Sequence, residues 1–194
     1  MFSSRLAAGM AGAALVIALT PAVGSAGTPV DPDTLTPPPP PGSSCYEAGQ
    51  QVICDTVFEI HLQNEPAFDL PCGLLYETID DVRVGTRWYT DGLLTKRLVF
   101  QQARGSWSLS PDGSGPRLLI SSHANWRNVD IDATAPEEEW PTTFHGVGLQ
   151  VKDETGHIIF QFAGLETPDR HSGVGDWDEL FGPEVQAQMC EALT

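Results

Sequence analysis

The sequence predicts an all-β domain: an antiparallel sandwich or barrel of about eight strands with a short C-terminal helix, stapled by disulfides. Three observations predict it. Segments in which apolar and polar residues alternate follow one another along most of the chain, as in half-buried strands. Turns rich in Gly, Asp and Pro separate these segments at short spacing. Four cysteines follow an apparent export signal, which indicates disulfide bonds.

The N-terminus predicts a signal peptide over residues 1–26. Arg5 supplies a positive charge, residues 6–19 are apolar, and Gly24-Ser25-Ala26 fits a small-residue cleavage site. The apolar segment is shorter than the roughly 20 residues that span a membrane. We therefore expect a secreted, extracellular protein, with association to the cell wall as a further option and no transmembrane span after cleavage.

Residues 27–44 form a Pro-rich linker in this prediction. The five prolines of 37–41 favour the stiff, extended polyproline II conformation. The segment would hold the domain away from the cell wall or bind a proline-recognising module; the alternative is a disordered tail. The remaining residues, 45–194, have the length of a single β-rich domain.

Alternation within this domain predicts the strands in order. The most regular strand has Phe58, Ile60 and Leu62 on one face. Asp91-Gly92 is a strong signal for a two-residue hairpin. Lys96 breaks the alternation that follows, which indicates an edge position or a bulge. The predicted strands are 55–63, 74–78, 82–90, 94–102, 106–110, 117–121, 128–133, 143–151 and 157–163.

Only the C-terminus has a helical pattern. Asp176 and Glu179 are spaced as a capping box for one helical turn. Gly182-Pro183 then begins a second helix, because proline is favoured at the first helical position. The apolar stripe of this helix consists of Val185, Met189, Cys190 and Leu193.

The cysteines of the mature chain are Cys45, Cys54, Cys72 and Cys190. An even number in an exported protein predicts two disulfides, for which three connectivities are possible. We favour Cys45–Cys54, which closes a short hairpin, and Cys72–Cys190, which ties the C-terminal helix to the loop before the central strands. A metal site is disfavoured because the chain has no C-x-x-C pair. We predict no metal ion and no cofactor.

The chain resembles a group of small exported β-rich proteins of uncharacterised function from high-GC Gram-positive bacteria. The resemblance is carried by the segment Leu70-Pro-Cys-Gly73, by the hairpins with Gly and Asp turns, and by Cys-x-x-Leu at 190–193. It spans roughly residues 54–194. It implies the Cys72–Cys190 pairing and nothing about catalysis.

The charge is strongly acidic. Ten Lys and Arg, one of them Arg5 in the signal, leave nine against 26 Asp and Glu, a net charge of −17 for the mature chain. This argues against nucleic-acid binding, which depends on neutralising phosphates, and fits a soluble exported protein. Seven of the basic residues lie within 83–127. They would form an anion-binding face or pair with acidic strands across the sheet, and we favour pairing.

Tryptophans near loops are the best candidates for a binding site. We predict Trp126, Arg127 and Trp140 as binding residues, because indole rings beside arginines stack on sugars or cations and anchor partners. The alternative is that the indoles cover the ends of the core. No G-x-S-x-G, P-loop or H-E-x-x-H sequence is present, so we assign no catalytic residue.

These observations support three hypotheses about function. The first, which we prefer, is a non-catalytic binding module for a cell-envelope polymer or a surface protein. The second is a secreted hydrolase of unfamiliar type that uses His and carboxylate residues. The third is a structural or interaction protein with no small ligand. A cleft in which His and carboxylates converge would favour the hydrolase, and a strand face bearing Trp would favour the binding module.

Overall fold

A computed structural model describes residues 27–167 and 170–194, and within these ranges it leaves the side chains of residues 171 and 177 undescribed. The predicted signal peptide, 1–26, lies outside the described residues. The statements below on the fold and its contacts refer to the described part of the chain.

Eight antiparallel strands form one open sheet in which each strand pairs with the next along the chain. The β2, β3 and β4 strands are long, at 20, 18 and 16 residues. Two short helices follow the last strand. The elements are β1 (Ser44–Ala48), β2 (Gln51–Leu70), β3 (Gly73–Thr90), β4 (Leu93–Ser108), β5 (Arg117–Val129), β6 (Thr142–Lys152), β7 (Ile158–Thr167), β8 (Arg170–Val174), α1 (Trp177–Leu180) and α2 (Pro183–Leu193).

The all-β class, the eight antiparallel strands and the short C-terminal helix are confirmed. The strands lie in one open sheet where a sandwich or barrel was expected, and several predicted strands are joined into longer ones. Residues 64–70, which fall between two of the predicted strands, lie inside β2, because register shifts between Leu62 and Glu65 and between Pro66 and Asp69 absorb the extra residues. Asn64 takes a positive φ of 55° at this point.

The β3–β4 hairpin follows the prediction closely. Asp91 and Gly92 have φ values of 51° and 78°, as a two-residue turn with both central residues left-handed requires. The expected break at Lys96 is a bulge: Trp88 pairs with Lys96 and Tyr89 pairs with Leu94, so one residue is left over. Beyond the bulge, the cross-strand pairing of the hairpin is shifted by one residue.

The two faces of the sheet differ, and we name the one that carries the buried clusters the inner face. Its first cluster lies under α2 and includes Leu75, Trp107, Leu118 and Met189. Its second cluster lies at the other end of the long strands and is composed of Leu35, Cys45, Cys54, Tyr89, Leu94, Ile131 and Trp140. The central part of the inner face lies between the clusters.

Two disulfides hold these ends, as predicted. Cys45–Cys54 joins directly paired residues of β1 and β2 within the second cluster. Cys72–Cys190 joins the β2–β3 turn to α2 across a sequence separation of 118 residues. Met189 and Leu193 of α2 are buried in the first cluster, in agreement with the predicted apolar stripe. The capping box of Asp176 and Glu179 is formed at α1.

The Pro-rich segment packs on the sheet instead of extending as a free spacer or tail. Leu35 is buried in the second cluster. The backbone N–H of Thr36 donates to the carbonyl of Gly92, and the N–H of Leu94 donates to the carbonyl of Thr36. The hydroxyl of Tyr89 donates to the carbonyl of Pro37 at 3.0 Å. These contacts cover one end of the inner face, which sequence alternation alone could not indicate.

Candidate functional site

A groove crosses the middle of the inner face between the two buried clusters. We call it the central groove and divide it into two adjoining parts. The arginine section lies over β2–β4 and is lined by Pro40, Thr56, Phe58, Arg83, Gly85, Arg87, Arg97 and Val99. The aromatic section lies over β4–β7 and is lined by Gln101, Trp126, Trp140, Phe144, Gly148, Phe162 and Glu166 together with residues 138, 139, 141, 142 and 167.

The aromatic section is a cavity of about 760 Å³, within the size range of small-ligand sites. Its wall holds Trp126 edge-on to Phe144, with ring centroids 6.3 Å apart, and Phe144 lies 5.3 Å from Phe162. The rim carries the carboxylates of Glu138, Glu139 and Glu166, all on exposed residues. Phe144 and Phe162 are 9% and 3% exposed and back the wall, so Trp126 is its partly exposed ring. A planar apolar surface beside carboxylate acceptors suits a ligand with flat faces and hydroxyl groups.

The arginine section is a smaller space of about 280 Å³. Arg83 and Arg87 lie four residues apart on β3, so both project to the inner face. Gly85 stands between them and leaves room, because a Cβ there would have its nearest neighbour, the Val99 side chain, at 3.8 Å. Phe58 lines the same space and remains 52% exposed, although it lies on the inner face.

Residues that line the two sections are direct neighbours in the sheet. Val99 and Trp126 are directly paired across β4 and β5, and Arg83 is directly paired with Gln101 across β3 and β4. The Arg83 guanidinium lies 5.9 Å from the centroid of the Trp126 ring. A ligand of several linked units can therefore contact the arginines and the aromatic wall at the same time.

A buried carboxylate lies on the inner face next to the groove. Asp81 is 3% exposed, and its Oδ2 accepts hydrogen bonds from Arg83 Nε at 2.9 Å and from Gln101 Nε2 at 2.7 Å. Its Oδ1 is buried with no hydrogen-bond partner among the described residues. Asp81 thus fixes one side chain from each section of the groove, and in doing so it leaves one buried oxygen unsatisfied, which is energetically unfavourable.

The three residues predicted to bind are placed on two faces. Trp126 and Trp140 both line the aromatic section. Trp126 lies within strand β5 and not in a loop, and Trp140 is only 5% exposed because it is part of the second cluster. Arg127 is exposed on the outer face, since neighbouring residues of a strand point to opposite faces. The structure therefore brings the two indoles together and leaves Arg127 apart.

Several groove residues were not identified from the sequence. They are Phe58, Arg83, Arg87, Arg97, Gln101, Phe144 and Phe162. The arginines belong to the basic stretch 83–127, for which the sequence favours pairing with acidic strands. These three contacts are ion pairs but do not join basic to acidic strands: Arg83 bonds to Asp81 of its own strand, Arg97 bonds to Glu137 between β5 and β6, and Arg117 lies 3.7 Å from Glu154 in the turn after β6.

The outer face offers weaker candidates. Val84 and Phe100 are 46% and 53% exposed there, and they line a cavity of about 440 Å³ together with His123 and His145. At another point His61 Nδ1 lies 2.8 Å from Asp80 Oδ1, and this hydrogen bond raises the pKa of His61. Within the described ranges, no group of three His, Cys, Asp or Glu is placed to hold a metal ion. No described helix is long and apolar enough to cross a membrane.

Comparison with known proteins does not assign the site. Searches against protein-family models, curated proteins and solved structures return no match for this chain. The groove itself is therefore the basis for the proposed function.

Proposed function

We propose that the protein is an exported, non-catalytic binding module that takes a cell-envelope polymer in the central groove. The observation that carries the proposal is the aromatic section, a cavity of about 760 Å³ with Trp126, Phe144 and Phe162 in its wall. Two disulfides are compatible with an extracellular location. The Pro-rich segment packs on the domain, so a role as a spacer from the wall forms no part of the proposal.

The shape of the site supports a polymer. The residues that line its two sections extend across β2 to β7, from Phe58 to Glu166. Among the described side chains, no histidine lines either section of the groove, so these side chains do not form the convergence of His and carboxylate groups that the hydrolase hypothesis requires. Aromatic walls with carboxylates and an amide at the rim provide stacking surfaces and hydrogen-bond acceptors for sugar rings.

Retention on cell wall tests this proposal. We expect the mature, oxidised protein to sediment with purified wall of the producing organism, and Trp126→Ala to weaken this retention at least about tenfold, as for a buried aromatic anchor. Trp88→Ala is the matched control, because Trp88 lies on the outer face and its ring contacts Lys96 Nζ at 4.1 Å. It should bind as the unchanged protein does.

A second pair of variants separates binding from folding. Glu166→Trp places a bulky ring at the exposed rim of the cavity without removing a core side chain, and Glu47→Trp makes the same change on β1, away from the groove. We expect only Glu166→Trp to block retention. Equal retention of Trp126→Ala, Trp88→Ala and Glu166→Trp would exclude the groove as the binding site. If the protein bound a surface protein and not the wall, the ligand would be a protein and the polymer would be excluded.

A further inference from the structure

We infer that the arginine section binds an anionic group, a phosphate or a carboxylate, of the ligand. This inference rests on the proposed function and specifies the chemistry of its ligand. It begins with a pair of like charges. Arg87 on β3 and Arg97 on β4 are directly opposite each other on the inner face. Directly opposed like charges destabilise a sheet, so a negatively charged group between the two arginines would stabilise it.

The protein itself compensates only part of this charge. Arg97 bonds to Glu137, and its Nε donates to Asn128 Oδ1 at 2.9 Å. Arg83 is paired with Asp81. Arg87 makes no ion pair with a carboxylate in the part of the chain that the structure describes. Its neighbour on the same face is the hydroxyl of Tyr89. Burial raises the pKa of this hydroxyl, and the hydrogen bond with Arg87 offsets only part of the rise.

The surroundings of Arg87 favour an anion from outside. The mature chain has 26 acidic residues against nine basic ones, yet among the described residues this guanidinium remains without a carboxylate. Gly85 and Val99 keep the space in front of it open and apolar. Guanidinium groups bind phosphate and carboxylate through two parallel hydrogen bonds, and such bonds strengthen where water is partly excluded.

The two ends of the groove then suit different parts of one ligand. The arginines lie at the β2–β4 end, whereas Glu138, Glu139 and Glu166 lie at the β6–β7 end. A polymer that carries negative groups on some units and only hydroxyls on others satisfies both ends. The anionic group belongs over Arg87, and a neighbouring sugar belongs against Trp126 and Phe144.

Titration with simple anions tests the inference directly. We expect inorganic phosphate or glucuronate to shift the Nε–H NMR signal of Arg87, and the signal of Arg127 on the outer face to remain unchanged. A response to only one anion identifies the group. No shift at Arg87, or an equal shift at Arg127, would overturn the inference, because the binding would then be absent or nonspecific.

Wall fragments separate this inference from the proposed function. Fragments released by a muramidase are used untreated, after removal of phosphodiesters, and after reduction of carboxyl groups. We expect Arg87→Gln to weaken binding of untreated fragments at least about tenfold. The Arg87→Gln variant should also bind treated and untreated fragments equally. Arg127→Gln, which makes the same change in charge, should bind as the unchanged protein does. Undiminished binding by Arg87→Gln together with loss in Trp126→Ala would overturn only the anion site.

Discussion

Replacing Cys72 and Cys190 together with alanine is expected to lower the free energy of unfolding by about 5 kcal/mol, the entropy of closing a loop of this length. The bond joins residues 118 positions apart and holds α2 on the first buried cluster. Without it, Met189 and Leu193 must keep the helix in place by packing alone. Denaturant unfolding of the oxidised protein and the variant measures the difference.

The other disulfide is the matched control. Cys45–Cys54 closes only nine positions within one hairpin, so its removal should cost about 2.5 kcal/mol on the same basis. Both double variants remove two half-cystines, which makes their difference informative. An equal loss in the two variants, or a larger loss for Cys45 and Cys54, would show that the tie between α2 and the β2–β3 turn is not the stronger of the two.

Gly146→Ala is the second change with a large expected effect, a destabilisation of about 2–4 kcal/mol. Gly146 lies in β6 with a φ of 123°, a conformation that residues with a Cβ rarely adopt. An added Cβ would also lie 2.5 Å from the carbonyl oxygen of His123 and 2.9 Å from the Cα of Ala124. Thermal or denaturant unfolding measures the loss.

Gly85→Ala is the control for this prediction. Gly85 also lies within a central strand, but its added methyl group would meet only the Val99 side chain at 3.8 Å and a carbonyl oxygen at 3.9 Å. We expect a change within about 1 kcal/mol, because the backbone needs no special conformation and the unfolded chain loses freedom. Comparable destabilisation by the two alanines would mean that loss of glycine itself, and not the strained contact in β6, decides the result.

The alternation of side chains predicted the strands better than it predicted which face is buried. Val82, Val84 and Phe100 alternate as a buried set would, yet they lie exposed on the outer face. Period-two alternation shows that two faces differ but not which one the rest of the chain covers. In this sheet α2 and the Pro-rich segment cover the inner face, and neither is part of the strand pattern.

The arginine section shows why a site made by strand pairing is hard to predict from sequence. The Asp91-Gly92 hairpin places Arg87 near Arg97, but simple counting from the turn would set Arg87 opposite Lys96. The bulge beside Trp88 adds one residue, so Arg87 faces Arg97 instead. A shift of one residue moves a side chain to the other face, so the residues that line the groove depend on this bulge. Lys96 indicated an edge position or a bulge but not the pairing that results.

The aromatic section was easier to anticipate. The sequence predicts Trp126 and Trp140 as binding residues because both are indoles in or beside loops, and both line one cavity in the structure. The arginines that contact these indoles are distant from them in the sequence: Arg83 lies over Trp126, and Arg97 lies 5.1 Å from the Trp140 ring centroid. Adjacency in the sequence suggested Arg127, which strand geometry turns to the opposite face.

Indole NMR with wall fragments tests the central claim most directly. The protein carries ¹⁵N-labelled tryptophan, and single Trp→Phe variants assign the Nε1–H signals of Trp126 in the groove and Trp88 on the outer face. On titration with soluble muramidase-released fragments, we expect the Trp126 signal to shift and the Trp88 signal to remain unchanged. A shift of Trp88 alone, or no shift of Trp126 while the fragments bind, would contradict the assignment of the central groove as the binding site.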